Sequence, residues 1–236
     1  MSWRNLSLAL LEKYWLQFLS KPFACVLMYH SVGDNGRFFT VTPDMFKAQM
    51  KALKESGVKV ISLQKLVNQI SSGNLERSVV ITFDDGYADL YNEALPLLRE
   101  YRFPATVFLS TGLLGKAFKE LPLLSWTQVK EMSGIDFQPH GHNHQKLNLL
   151  SSNDAKKEIQ LSKQAIRSKL GKKAEFLAYP SGKYSDETVR ILSDLGFKAA
   201  VTVKQGYVKA DCRLLEIPRI AVDSTTPLSF FKRVIP

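Results

Sequence analysis

The stretch SVVITFDDGY, residues 78–87, decides the reading of this 236-residue chain. Its first six residues carry the apolar run Val79-Val80-Ile81 and are rich in β-branched side chains, as expected of a parallel strand covered on both faces. The run stops on two carboxylates, Asp84 and Asp85, with Gly86 directly after them. Neighbouring strand residues point to opposite faces, so both acids can serve one site only where the strand ends and the chain turns. Gly86, lacking a Cβ, permits that turn.

Six further runs of the same character lie outward from it: CVLMYH (25–30), VKVIS (58–62), ATVFLS (105–110), IDFQP (135–139), EFLAYP (175–180) and KAAVTV (198–203). Helical patterns separate them. Thr42-Pro43 reads as N-cap and N1 of a helix closed by Gly57, Ser125 with Gln128 as a capping box closed by Gly134, and Gly73, Gly171 and Gly196 end the others. Alternating strands and helices predict an α/β fold, a single-domain distorted (β/α) barrel of about seven parallel strands, with an open doubly wound sheet as the alternative. Hydrophobic residues make up 45% of the chain, enough for one core, and 13 Gly and 10 Pro without a biased tract argue against a repeat array or a disordered region. The catalytic domain is expected over residues 23–236.

Residues 1–22 precede it as an expected amphipathic helix. The longest apolar run there, Leu8 to Leu11, is cut by Glu12 and Lys13, too short for a signal segment or a span of about 20 residues, so a cytoplasmic location is expected. Trp3, Tyr14, Trp15 and Phe18 leave two roles open: capping the bottom of the barrel, or peripheral contact of residues 1–20 with the inner face of the membrane.

The 32 Lys and Arg against 22 Asp and Glu give a net charge of +10, which attracts anionic partners. The basic residues are scattered and no nucleic-acid motif is present, so the charge fits an acidic or lipid-linked sugar better than nucleic acid. Cys25 and Cys212 are far apart and form no CxxC, which argues against a disulfide framework or a cysteine zinc site.

The carboxyl ends of parallel strands share one face of the fold, where sites are built. His30 ends the first predicted strand, Asp84 and Asp85 the third and His140 the fifth, and Ser181-Gly182 follow the sixth. PHGHNHQKL (139–147) carries three of the four histidines; His140 and His144, four apart, fall on one side of a helical turn, while His142 points away. Two imidazoles and a carboxylate with an open position make a catalytic zinc pattern. A divalent metal lowers the pKa of a bound water toward about 7, yet a base must still take the proton, so one aspartate would ligate and its neighbour deprotonate.

TFDDG (82–86), the HxxxH segment and a strand ending in a Pro-Ser-Gly turn (180–182) resemble the NodB-homology polysaccharide deacetylases, carbohydrate esterase family four, from about residue 24 to 222. The resemblance implies removal of N-acetyl groups from an amino-sugar glycan or glycolipid. Asp84 would be the general base, Asp85, His140 and His144 the ligands of a divalent metal, first of all zinc, and the Ser181 amide the oxyanion donor. Three departures stand out. Gly141 replaces the family's Ser or Thr. Ala178-Tyr179-Pro180-Ser181-Gly182 lacks the family's base-orienting arginine, for which Arg219 of IPRIAV is the candidate substitute. No histidine follows His144, so the general acid must come from elsewhere. A permuted branch acting on poly-N-acetylglucosamine takes it from a Tyr-His pair, and LMYHSV makes His30 that candidate.

Tyr179 and Tyr184 are candidate substrate contacts, Tyr184 being equally open to a packing role; Tyr29, Tyr87 and Trp126 read as packing. Two other functions stay in view: a metal-dependent hydrolase of another carbon–nitrogen amide, and a catalytically degenerate glycan binder.

Overall fold

The structure, a computed structural model, describes residues 23–236; the expected helix over residues 1–22 lies outside the described residues. In chain order the elements are β1 (Ala24–Tyr29), β2 (Ser31–Val32), β3 (Thr40–Val41), α1 (Pro43–Ser56), β4 (Lys59–Val60), α2 (Leu63–Ser71), β5 (Ser78–Phe83), α3 (Leu95–Tyr101), β6 (Ala105–Leu109), β7 (Ala117–Phe118), β8 (Leu121–Pro122), α4 (Trp126–Glu131), β9 (Ile135–Pro139), α5 (Ser152–Leu170), β10 (Phe176–Ala178), α6 (Asp186–Asp194), β11 (Ala199–Gln205), β12 (Ile217–Ala221) and α7 (Leu228–Val234). Among the described residues, no helix is long and apolar enough to cross a membrane.

Seven parallel strands run in the order β10-β11-β12-β1-β5-β6-β9, and β4 joins β5 off this path. β1 pairs with the whole of β5, from Ala24↔Ser78 to Tyr29↔Phe83. The other edge of β5 therefore serves two partners, β4 at Ser78 and Val79 and β6 from Ile81 to Phe83. The expected distorted (β/α) barrel is the fold. β9 and β10 share no ladder, and side chains close the gap: Gln138 Oε1 accepts from the backbone N–H of both Glu175 and Phe176 at 3.0 Å.

One of the seven expected strands needs revision, and one strand was missed. VKVIS shrinks to the two residues of β4, because Ser62 leaves the sheet to cap α2, its side chain accepting from Lys65 N. The seventh strand of the barrel is β12, between β11 and β1 and absent from the initial set. Pro218 weakens the strand signal there, since it has no N–H for a ladder. The structure accommodates it at a register shift, with Val201↔Ile217 and Gln205↔Arg219 in pairing but an irregularity between them.

The two faces of the strands separate cleanly. Cys25, Leu27, Tyr29, Ile81 and Phe83 pack under α1, α3 and α7, while Ala24, Val26, Val80, Phe108, Ala178 and Val201 form the barrel interior. Each fully buried leucine or phenylalanine contributes about 1.5–3 kcal/mol. The interior parity continues through Thr82 to Asp84, and from Ile217 to Arg219. Thr42 caps α1 by accepting from Met45 N, Gly57 ends it at φ 72°, and the Ser125–Gln128 capping box is present.

Candidate active site

Asp84 still belongs to the ladder, donating its N–H to Tyr29 O at 2.9 Å. Asp85 itself makes the turn, at φ 70°, a left-handed conformation that Asp tolerates better than most residues. Gly86 follows at φ 85°, and a Cβ there would lie 2.7 Å from Leu109 Cδ2, so the turn needs glycine for space as well as for conformation. This reversal brings two adjacent carboxylates to the same end of the barrel.

Arg219, 0% exposed, meets Asp84 in a two-pronged pair: Nη1 to Oδ1 at 2.8 Å and Nη2 to Oδ2 at 2.6 Å. Two of its other donors are held by Thr202 O at 2.8 Å and Thr82 Oγ1 at 3.1 Å, which fixes the guanidinium plane. Burial pushes the Asp84 carboxyl up, but the Arg219 charge, with His140 and the Arg219 hydrogen bonds, outweighs it and holds the group below its usual range.

His140 and His144 converge on Asp85, though not by the expected helical turn. Gly141 at φ 77° and His144 at φ 57° coil residues 140–144 into an irregular loop that turns both rings inward, centroids 4.9 Å apart. His140 Nε2 and His144 Nε2 lie 3.4 and 3.2 Å from Asp85 Oδ1. One ligand atom from each residue falls within 4.8 Å of the others. His142 points away, its Nδ1 3.1 Å from Thr111 Oγ1. His140 Nδ1 lies 2.9 Å from Ala178 O, a bond that requires the proton on Nδ1 and leaves the Nε2 lone pair free toward Asp85. Burial pushes His140 down to about 4, so its ring is neutral at pH 7.

A divalent cation fits this donor set. Both Asp85 oxygens are buried and, among the described residues, have no hydrogen-bond partner. Buried polar atoms are rarely left so. Of the seven buried side-chain N and O atoms in that condition, five belong to Asp85, Tyr87, Asp89 and Ser110, all at or beyond the ends of β5 and β6. Burial opposes ionisation of Asp85, yet His144 and His140 hold its carboxyl far below the usual range.

His30 stands at the mouth, partly exposed, its ring 5.9 Å from that of Phe39. Burial pushes its pKa down, with Asp84 and Asp85 pulling the other way. Ser181 sits at φ 54° in a tight turn bracketed by Gly182 N to Tyr179 O at 2.8 Å and Lys183 N to Pro180 O at 3.1 Å. The hydroxyls of both candidate tyrosines are engaged within the protein. Tyr179 is fully buried with its hydroxyl donating to Leu215 O at 2.9 Å, and Tyr184 stacks on it at 4.2 Å and donates to Glu216 Oε1 at 2.8 Å. Tyr29 and Tyr87 are buried and Trp126 packs on the core, as packing residues should.

Sequence reasoning missed Lys119. The β7–β8 hairpin holds it over the mouth, with Nζ 3.5 Å from Asp85 Oδ2 and over the faces of Phe118 and Phe39 at 4.8 and 5.4 Å. Its turn is made by Lys119 and Glu120, both at positive φ, where Gly or Asn would have signalled a hairpin. An Arg37–Glu120 ion pair ties that hairpin to the loop after β2.

Residues 72–200 match the profile of the family described as polysaccharide deacetylase. The chain is 33% identical over 199 residues to the poly-beta-1,6-N-acetyl-D-glucosamine N-deacetylase of Staphylococcus epidermidis, covering 79% of this chain and 69% of that protein. The Streptococcus pyogenes deacetylase PplD, solved in complex with acetate, superposes with a TM-score of 0.84 at 30% identity, covering 92% of this chain and all of that one. IcaB from Ammonifex degensii shares the fold, with a TM-score of 0.80 at 24% identity over 90% of this chain and 95% of that one. The paired aspartates, the two inward histidines and these matches together make this chain a member of the polysaccharide deacetylase family.

Proposed function

We propose that this protein hydrolyses the N-acetyl amide of an amino-sugar glycan, with poly-β-1,6-linked N-acetylglucosamine as the first substrate to try. The observation that carries the reading is the Asp85 carboxylate, buried and without a hydrogen-bond partner among the described residues beside two imidazole Nε2 atoms, next to a second aspartate clamped by Arg219. Asp85, His140 and His144 would hold a divalent cation, zinc by the chemistry of the set, which supplies Lewis-acid polarisation of the acetyl carbonyl and a more acidic water.

The chain's own residues divide the remaining work. Asp84 accepts the proton of the attacking water; Arg219 keeps it ionised and fixes its plane, leaving on each oxygen a lone pair for that proton. The Ser181 N–H donates to the oxygen on which negative charge develops. As the carbon–nitrogen bond breaks, His30 gives a proton to the amine, and acetate and the free amino sugar leave. Burial keeps the His30 imidazole neutral at rest, so the proton it gives to the amine is one released by the attacking water, taken first by Asp84 and passed to His30 before the carbon–nitrogen bond breaks.

Acetate release from N-acetylglucosamine oligomers tests the reading, measured before and after chelation and with zinc add-back. Asp84→Asn should abolish release, and His30→Ala should lower it on the order of 10²- to 10⁴-fold. Near wild-type release by either variant removes that residue from its role. A fold-intact protein that binds zinc but releases no acetate would favour the glycan-binding alternative. Contact of residues 1–20 with anionic membrane, suggested by the +10 charge, is tested by co-sedimentation of the full chain with anionic vesicles.

A further inference from the structure

Glu158 is a buried acid without a cation. It lies on α5, 5% exposed, and no ion pair among the described residues includes it. Burying an ionised carboxylate is unfavourable unless hydrogen bonds replace its water. The replacement is one short bond, Asn143 N donating to Glu158 Oε1 at 2.5 Å.

Asn143 immediately precedes His144 in a loop that has no helix or strand to hold it. On one side the loop hangs from the residues after β6, with Thr111 N donating to Gly141 O at 3.2 Å and Gly112 N to His142 O at 2.8 Å. Glu158 holds the other side, at the residue next to the histidine. Space has been made for it: a Cβ on Gly141 would come within 3.1 Å of Glu158 Oε1 and 3.2 Å of Pro180 Cγ, tighter than ordinary contact. Gly141 at φ 77° thus serves both the backbone turn and the close approach of the carboxylate.

We propose that Glu158 is a positioning residue for the metal centre, anchoring the Asn143 N–H from α5 and thereby fixing the His144 imidazole against Asp85 and His140. The proposal rests on the metal-site reading above. A charge-assisted bond to a backbone N–H is strong and directional, suited to fixing a loop that carries a ligand. Partners one step behind metal ligands commonly govern affinity in this way.

The test is zinc affinity, measured on the metal-free full chain by competition with a chromophoric chelator, alongside circular dichroism and melting temperature. Glu158→Ala is expected to weaken zinc binding by roughly 10- to 100-fold, and Glu158→Gln, which keeps an acceptor oxygen at the same place, to recover most of that loss. Wild-type zinc affinity in Glu158→Ala overturns the proposal even if the variant melts earlier, because a merely structural residue would move only the melting temperature. A Glu158→Gln protein as impaired as Glu158→Ala overturns it too. Should Glu158→Ala fail to fold, Glu158→Asp draws the carboxylate back by one methylene from the Asn143 N–H and should weaken zinc binding, and unchanged affinity there is an overturning result. Wild-type protein that binds no divalent ion sinks the metal-site reading first, whereas wild-type binding with unaffected variants sinks only the role of Glu158.

Discussion

Two polar clusters share strand β9 and are built in opposite ways. In the seam toward β10, Gln138 Oε1 takes the N–H groups of Glu175 and Phe176, while its Nε2 donates to Asp136 at 3.0 Å. Its hydrogen-bonding capacity is met inside the protein. Two residues along the same strand, His140 opens a cluster in which both Asp85 oxygens have no hydrogen-bond partner among the described residues. Buried polar groups that hold a fold together satisfy one another, and those left open mark where a ligand completes them. Asp84 stands between these cases, fully paired by Arg219 and yet beside the open site.

Substitutions at four positions probe that contrast, the largest expected effect first. Asp85→Asn should cost at least on the order of 10² in zinc affinity, as loss of a direct ligand outweighs loss of an outer partner. The same change should lower the melting temperature of the metal-free protein at neutral pH, because Lys119, His140 and His144 favour the ionised carboxylate in the folded state; a higher melting temperature would mean that burying the charge costs more than these neighbours return. Arg219→Met leaves Asp84 buried and unpaired, and urea unfolding should show a loss of about 3–5 kcal/mol. Arg219→Lys should recover only part of it, since an ammonium cannot make the two-pronged contact.

Gln138→Leu opens the seam and strands two backbone N–H groups, at about 1–3 kcal/mol for each group left dry. Zinc affinity should stay at the wild-type level, and a parallel fall would show that seam and mouth act as one unit. Asp136 supplies the smallest effect and a pH dependence. Burial raises its pKa, with Gln138 and Thr106 offsetting only part. A raised folded-state pKa means stability fully present below the unfolded value of about 4 and lost as pH rises through the folded value. Asp136→Asn removes that loss, so its melting temperature should gain on the wild type as pH rises from about 4 toward neutrality. A constant difference across that range would remove Asp136 as the titrating group.

Much of the site was legible because its chemistry depends on residue types at strand ends. Asp84, Asp85, His140 and His144 stand at the carboxyl ends of β5 and β9 or just beyond, and the alternation of strands and helices already implied that these ends share a face. The HxxxH spacing was read correctly as convergence and wrongly as a helix, because two left-handed residues bring rings together as well as a helical turn does. Tyr179 and Tyr184 looked like ligand contacts from their place beside the Pro-Ser-Gly turn; their hydroxyls were already committed to Leu215 and Glu216, partners more than thirty residues away.

The sequence by itself determined the α/β class, the face that carries the site and the pairing of two acids with two histidines, since each of these follows from local periodicity, turn chemistry and side-chain type. Tertiary structure alone decided the partners across the barrel: that Arg219 clamps Asp84 from 135 residues away, that Lys119 overhangs Asp85, and that Glu158 holds the loop before His144. Such contacts depend on strand order and on how closely backbones approach, and those are set by packing the whole barrel, beyond the reach of any local pattern.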